Sequence, residues 1–139
     1  MSEIMDLIDR ICSRRGWQYN AIQENLVAVE VPLEGKLAGR SQMVFAKIDG
    51  EWLRYWAVAG PLESMPLASV DAEQFFRLLL QYNADLPTGA YALIDESLVV
   101  LDTQLIAVAD RDEIAASLLS VATFADLAED TFLGGEDAQ

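Results

Sequence analysis

The dipeptide Asp49-Gly50 stands between two runs of alternating, β-favouring residues, 42–48 and 51–59. Asp-Gly is a strong hairpin signal, because a type I′ turn needs positive φ at both central positions. A two-residue connection joins antiparallel strands only, since a parallel pair needs a long crossover. The middle of the chain must therefore pair back on itself, which closes off an all-parallel α/β layout. With Asp49-Gly50 at the turn, Trp52 falls opposite Lys47, Arg54 opposite Phe45, and Trp56 opposite Met43. Alternation puts Trp52, Arg54, Trp56 and Val58 on one strand face and Leu53, Tyr55 and Ala57 on the other.

The segments around this hairpin have different periods. Residues 2–15 carry Ile4, Leu7, Ile8, Ile11 and Cys12 at helical spacing. Ser2 suits the N-cap, Glu3 and Asp6 suit the first turn, and Arg14 and Arg15 suit the last, before a stop at Gly16. Residues 17–23 then alternate, with Trp17, Tyr19 and Ala21 on one side. A turn at 23–25 leads into 26–33, where Val27, Val29 and Val31 share a face. Gly35 and Gly39 mark a loop, and so do Pro61 and Pro66 within 60–69. Asp71, with Gln74 three residues on, opens a helix running to about Tyr82, apolar over more than one face. Asn83 suits a left-handed C-terminal cap, and Pro87 confirms the stop. Residues 90–94 and 98–102 form a second hairpin around 95–97. Residues 104–109 extend its second strand or form a short loop. Asp110 and Glu113 form a capping box for the last helix. Its stripe is Ile114, Leu118, Val121, Ala125, Ala128 and Phe132, broadened by Leu119, Ala122, Phe124 and Leu127. Gly134-Gly135 ends it.

The order is α-β-β-β(-β)-α-β-β-α, an α+β pattern with a twisted antiparallel sheet and helices packed on one side. At 139 residues and 53% hydrophobic, residues 1–139 are expected to form one domain, with 134–139 as a polar tail. The 9 Lys and Arg face 23 Asp and Glu, a net charge of −14. Nucleic-acid and polybasic membrane contacts need a basic footprint that this balance does not supply. There is no His, which removes any Ser-His-Asp or Cys-His nucleophile system and the commonest metal ligand. The single Cys12 makes no internal disulfide or Cys-rich zinc site, and its helical setting reads as a buried inert thiol. No phosphate-binding glycine motif or EF-hand loop occurs. The carboxylates at 95, 96, 102, 110, 112 and 113 cluster in sequence, but hairpin and helix-start positions account for most of them. No catalytic residue, metal site or cofactor is expected. No apolar run approaches the roughly 18 residues of a membrane span, and the N-terminus does not read as a secretory signal, so a cytoplasmic location is expected.

The aromatic strand face is the one feature that local rules leave open. Met43, Phe45, Trp52 and Trp56 together make a broad, mostly apolar surface. Core packing under the helices is the commoner use of such a face. The alternative is a surface for a partner or an extended peptide. The last two helices also carry wider apolar arcs than so short a chain can bury, which suits a homodimer interface.

The segments Leu78-Leu79-Leu80-Gln81-Tyr82-Asn83, Gly89-Ala90-Tyr91-Ala92-Leu93-Ile94-Asp95 and Leu98-Val99-Val100-Leu101 resemble the second half of class I type III secretion chaperones and the related YbjN-type domains. The element order fits that superfamily over nearly the whole chain. Residues 17–59 carry no motif that transfers, and a fourth strand there would exceed the usual three. The resemblance implies a twisted antiparallel sheet with helices on one side, dimerisation, and an extended partner segment held in apolar grooves. Two readings of function follow. One is a non-enzymatic, chaperone-like homodimer holding a peptide segment on Met43, Phe45, Trp52 and Trp56. The other is a regulatory or scaffolding module that binds a folded partner through helix faces. An enzyme stands third.

Overall fold

A computed structural model describes residues 3–34, 39–64 and 71–132. The expected cap at Ser2, the loop positions Gly35 and Pro66, the stop at Gly134-Gly135 and the tail lie outside them.

Helix α1 spans Glu3–Arg15, with its acids in the first turn and Arg14 and Arg15 in the last. Gly16 adopts φ +74°, and Trp17 N–H donates to the Cys12 carbonyl at 2.9 Å, closing the C-terminus in a Schellman arrangement. Ile4, Met5, Ile8, Ile11 and Cys12 are buried, so Met5 rather than Leu7 completes the inner stripe. Strands β1 (Gln18–Gln23), β2 (Leu26–Pro32), β3 (Ser41–Asp49) and β4 (Trp52–Pro61) follow as an antiparallel meander. The fourth strand of this half is therefore present. β4 also runs on to Pro61, into the stretch read as a loop, because β6 pairs with it there: Pro61 lies opposite Ser97 and Leu62 N–H donates to Glu96.

Helix α2 (Ala72–Asn83) starts at Asp71, whose side chain accepts from Gln74 N–H at 2.7 Å. Asn83 is not a left-handed cap. It is the last helical residue, and its side-chain amide brackets Tyr91 instead, accepting from Tyr91 N–H at 2.6 Å and donating to the Tyr91 carbonyl at 3.3 Å. Strand β5 (Ala90–Ile94) turns through Asp95, at φ +54°, into β6 (Ser97–Leu105). A 3-10 turn at Ile106–Val108 leads to helix α3 (Arg111–Phe132). Both arms of the capping box form: Glu113 N–H donates to Asp110, and Asp110 N–H donates to the Glu113 carboxylate.

The sheet has six strands in the order β1-β2-β3-β4-β6-β5. After β4 the chain passes through α2, lays β5 at the outer edge and returns as β6 beside β4. Val27, Val29, Val31, Val44, Ala46, Leu53, Tyr55, Ala57 and Val100 point to one face, where α1 and α3 cover them. Every residue of the α3 stripe read from the sequence is buried. Phe75 and Leu79 of α2 pack with Leu98, Ala128 and Phe132 on the same side. The three helices thus form a single layer on one face of the sheet.

Polar groups fix α3 in place. Tyr55 O–H donates to Gln104, Gln104 donates to Ser117, and Ser117 donates to Asp102, at 2.8, 2.7 and 2.8 Å. Burial, then the charges of Asp102 and Glu113, hold the Tyr55 phenol well above its ordinary range, so it stays a donor. Further along, buried Asp126 pairs with Arg40 and accepts from Gln42. Most of these groups satisfy one another inside the interface, but the Arg40 Nε is buried without a hydrogen-bond partner.

Candidate functional site

Among the described residues, no helix lies over the opposite face of the sheet. Its residues follow from strand alternation and register. Ala28 on β2 pairs with Phe45 on β3, Phe45 with Trp56 on β4, Trp56 with Leu101 on β6, and Leu101 with Ala90 on β5. These five residues form one apolar row across five strands. The Phe45 and Trp56 rings stack at its centre, with centroids 5.5 Å apart and planes 22° apart. A second row runs beside it, from Met43 to Val58, Val99 and Ala92. Met43 is 39% and Val58 42% exposed, while Val99 and Ala28 are buried in the floor. On the other side lies a polar row, with Lys47 opposite Arg54 and Arg54 opposite Thr103. Beyond it Trp52, 46% exposed, lies between Asp49 and Leu105.

The aromatic face therefore lies outside the described helical layer, with Met43, Trp52 and Val58 exposed and Phe45, Trp56 and Leu101 half-buried. Core packing, the commoner use of such a face, is not what happens here, because the helical layer is spent on the valine-rich side. The pairing across the hairpin is also corrected. The turn residues are Gly50 and Glu51, not Asp49 and Gly50, and Asp49 pairs with Trp52. Phe45 thus lies opposite Trp56, and Lys47 opposite Arg54. Each strand position moves to a partner two residues along, so every side chain keeps its face.

Of the four residues singled out in the sequence, Phe45 and Trp56 come into ring contact, and Met43 borders them on β3. Trp52 shares the face but stands apart, across the Lys47–Arg54 row. Leu101 and Val99 were not recognised. Their signal was the unbroken apolar run Leu98-Val99-Val100-Leu101, which puts apolar side chains on both faces of its strand. Among the described residues, no group of three or more His, Cys, Asp or Glu side chains could hold a metal ion. No described helix is long and apolar enough to cross a membrane.

Comparison with solved structures matches this arrangement. The chain superposes on the crystal structure of the ExsC–ExsE complex with a TM-score of 0.66 at 13% identity, covering 94% of this chain and 93% of the other. It also matches the Yersinia pestis type III secretion chaperone SycH, solved with a stable fragment of YscM2. There the TM-score is 0.53 at 16% identity, over 89% of this chain and 95% of that one. This chain has the type III secretion chaperone fold. No protein-family model matches the sequence, and no curated protein matches it.

Proposed function

We propose that this chain is a non-enzymatic, chaperone-like module that holds an extended segment of a protein partner on the uncovered face of its sheet. The observation that carries this reading is the largely half-buried apolar row Ala28–Phe45–Trp56–Leu101–Ala90, under no described helix and beside exposed Met43 and Val58. Exposed apolar patches of this kind mark interaction sites. Met43, Phe45 and Trp56 supply the central contact, and Trp52 an outlying one. Lys47 and Arg54 add positive charge beside the row. Both solved relatives of this fold contain a bound protein or protein fragment, which supports the same reading. Catalysis, cofactors, nucleic acid and membranes have no part in it, and residues 1–139 act as one cytoplasmic domain.

A homodimer completes the proposal. Leu78 and Leu80 of α2 and Leu93 of the edge strand β5 are exposed outside the aromatic row, and exposed Ile94 extends the face of that row to the end of β5. The same surface supports the alternative reading, a regulatory or scaffolding module bound to a folded partner.

The test is to isolate the tagged protein from its own cell lysate, weigh the complex by light scattering, and digest the retained partner with protease. A short protected segment on a dimer of this chain is expected, and the double substitution Phe45→Asp/Trp56→Asp should release it. Full retention by that variant, or protection of a whole folded domain, would overturn the sheet-face reading. A monomer in complex would overturn the dimer.

A further inference from the structure

The aromatic face of the sheet is banded along its strands. Trp52, Arg54, Trp56 and Val58 stand at alternate positions of β4, in steps of about 6.8 Å. Each belongs to a row across the sheet. Trp52 pairs with Leu105, and both are exposed. The next row is Leu26, Lys47, Arg54 and Thr103. Two apolar rows follow, first Phe45–Trp56–Leu101 and then Met43, Val58 and Val99. Two cations thus stand side by side between apolar bands.

Nothing within the described fold accounts for that pair. Lys47 and Arg54 are direct cross-strand partners, and like charges so placed destabilise a sheet. Arg54 reaches Asp49 only at 3.7 Å, and both side chains are well exposed, so the contact is worth little. Lys47 forms no salt bridge among the described residues. Glu30, also on this face, accepts from Ser41 O–H at 2.8 Å. It lies about 14 Å along the strands from the Lys47 row, beyond the Debye length of about 8 Å. Glu24 and Glu51 are exposed in the two turns past the row and make no salt bridge among the described residues. Solubility does not call for two cations here, on a chain already at −14.

We propose that the partner segment held on this face carries a single carboxylate with apolar side chains two residues away on either side, and that Lys47 and Arg54 receive that carboxylate. The inference rests on the sheet-face reading and names the chemistry of its occupant. Strands packed face to face on a sheet stay within about 30° of its own strands. Alternate side chains of an extended segment therefore repeat at the step of β4. A carboxylate over Lys47 and Arg54 sets apolar neighbours over Trp52 and Leu105 on one side and over Phe45 and Trp56 on the other. It also offsets the repulsion between the two cations. A run of carboxylates does not fit, because the apolar bands offer them no partner and the rest of the molecule is strongly negative.

Fluorescence anisotropy tests this with labelled Val-Thr-Leu-Thr-Glu-Thr-Leu-Thr-Val and the same peptide carrying Gln in place of Glu. The Glu peptide is expected to bind about three- to fivefold more tightly, the size of a partly exposed ion pair. Lys47→Gln/Arg54→Gln should remove the difference, and Arg77→Gln, on the exposed side of α2, should keep it. Lys47→Gln alone should melt no lower than the unsubstituted protein, since it removes a like-charge pair. Equal binding of the two peptides, or a preference that survives in the double variant, would overturn the proposal. With binding abolished in Phe45→Asp/Trp56→Asp, the sheet-face reading would still stand; with binding undiminished there, it would fall as well. Saturable binding of neither peptide would overturn the acidic motif alone, since the partner retained from lysate tests the face separately. A dimer lost in Phe45→Asp/Trp56→Asp would seat a second copy of the chain on this face and overturn the proposal.

Discussion

Cys12 is buried on the inner face of α1, and loss of water there, then the nearby charge of Asp9, pushes its thiol from 9.0 to about 11. The neutral thiol is thus favoured in the folded state more than in the unfolded one. Its contribution to stability is fully present below pH 9 and is lost as pH rises through about 11. The melting temperature should accordingly fall between these pH values, and less steeply in Cys12→Ala. Equal slopes for the two proteins would show that the thiol keeps its solvated pKa. The burial of Cys12 was legible because helical spacing alone puts it beside Ile8 and Ile11. The role of Asn83 was not, because its partner Tyr91 is set by how α2 packs on β5. Gly89 shows the same limit. Its φ of +76° suits a turn, but a Cβ there would also stand 2.9 Å from the Leu101 carbonyl, a contact visible only in the assembled sheet.

The β3–β4 hairpin shows how an element can be right while its turn is shifted. Gly50 takes φ +61°, and Glu51 is not among the residues with positive φ. Positive φ at the first central position alone is the type II′ pattern, which wants Gly there. The alternative, with Asp49 and Gly50 central, needs positive φ at both. Gly50→Ala should therefore cost about 1 to 2 kcal/mol, the penalty for a Cβ in left-handed backbone. Asp49→Ala should cost only a few tenths of a kcal/mol, since Asp49 is an exposed strand residue with a 3.7 Å contact to Arg54. Urea denaturation of both variants measures the difference, and similar costs at the two positions would restore the type I′ turn. The Asp-Gly signal located the hairpin because both turn types draw on the same glycine. It could not choose between them, because the choice rests on which cross-strand pairs pack better, here Phe45 on Trp56.

At the scale of the whole molecule, the question is which sheet face the helices cover. Strand periodicity divides β4 into Trp52, Arg54, Trp56 and Val58 against Leu53, Tyr55 and Ala57, and both sets are largely apolar. The pattern on one strand therefore cannot choose. The choice comes from β2, β3 and β6 together, where the register aligns Val27, Val29, Val31, Val44, Ala46 and Val100 with Leu53, Tyr55 and Ala57. Small and β-branched side chains let α3 approach closely, with its own Ala122 and Ala125 at the contact. On the bulkier aromatic face Met43, Trp52 and Val58 are exposed, and Phe45 and Trp56 are half-buried. Two matched substitutions on β3 test this directly. Met43→Ser removes an exposed side chain and should change stability by no more than about 0.5 kcal/mol. Val44→Ser, one residue along, puts a hydroxyl without its own partner into the core and should cost on the order of 2 to 3 kcal/mol or abolish folding. Thermal melting reads both. A large loss for Met43→Ser with little for Val44→Ser would place the core on the aromatic side, and with it would go the case for a docking surface there. The predicted asymmetry would fix the core on the valine-rich side and leave Met43, beside the stacked Phe45 and Trp56, free to serve a partner.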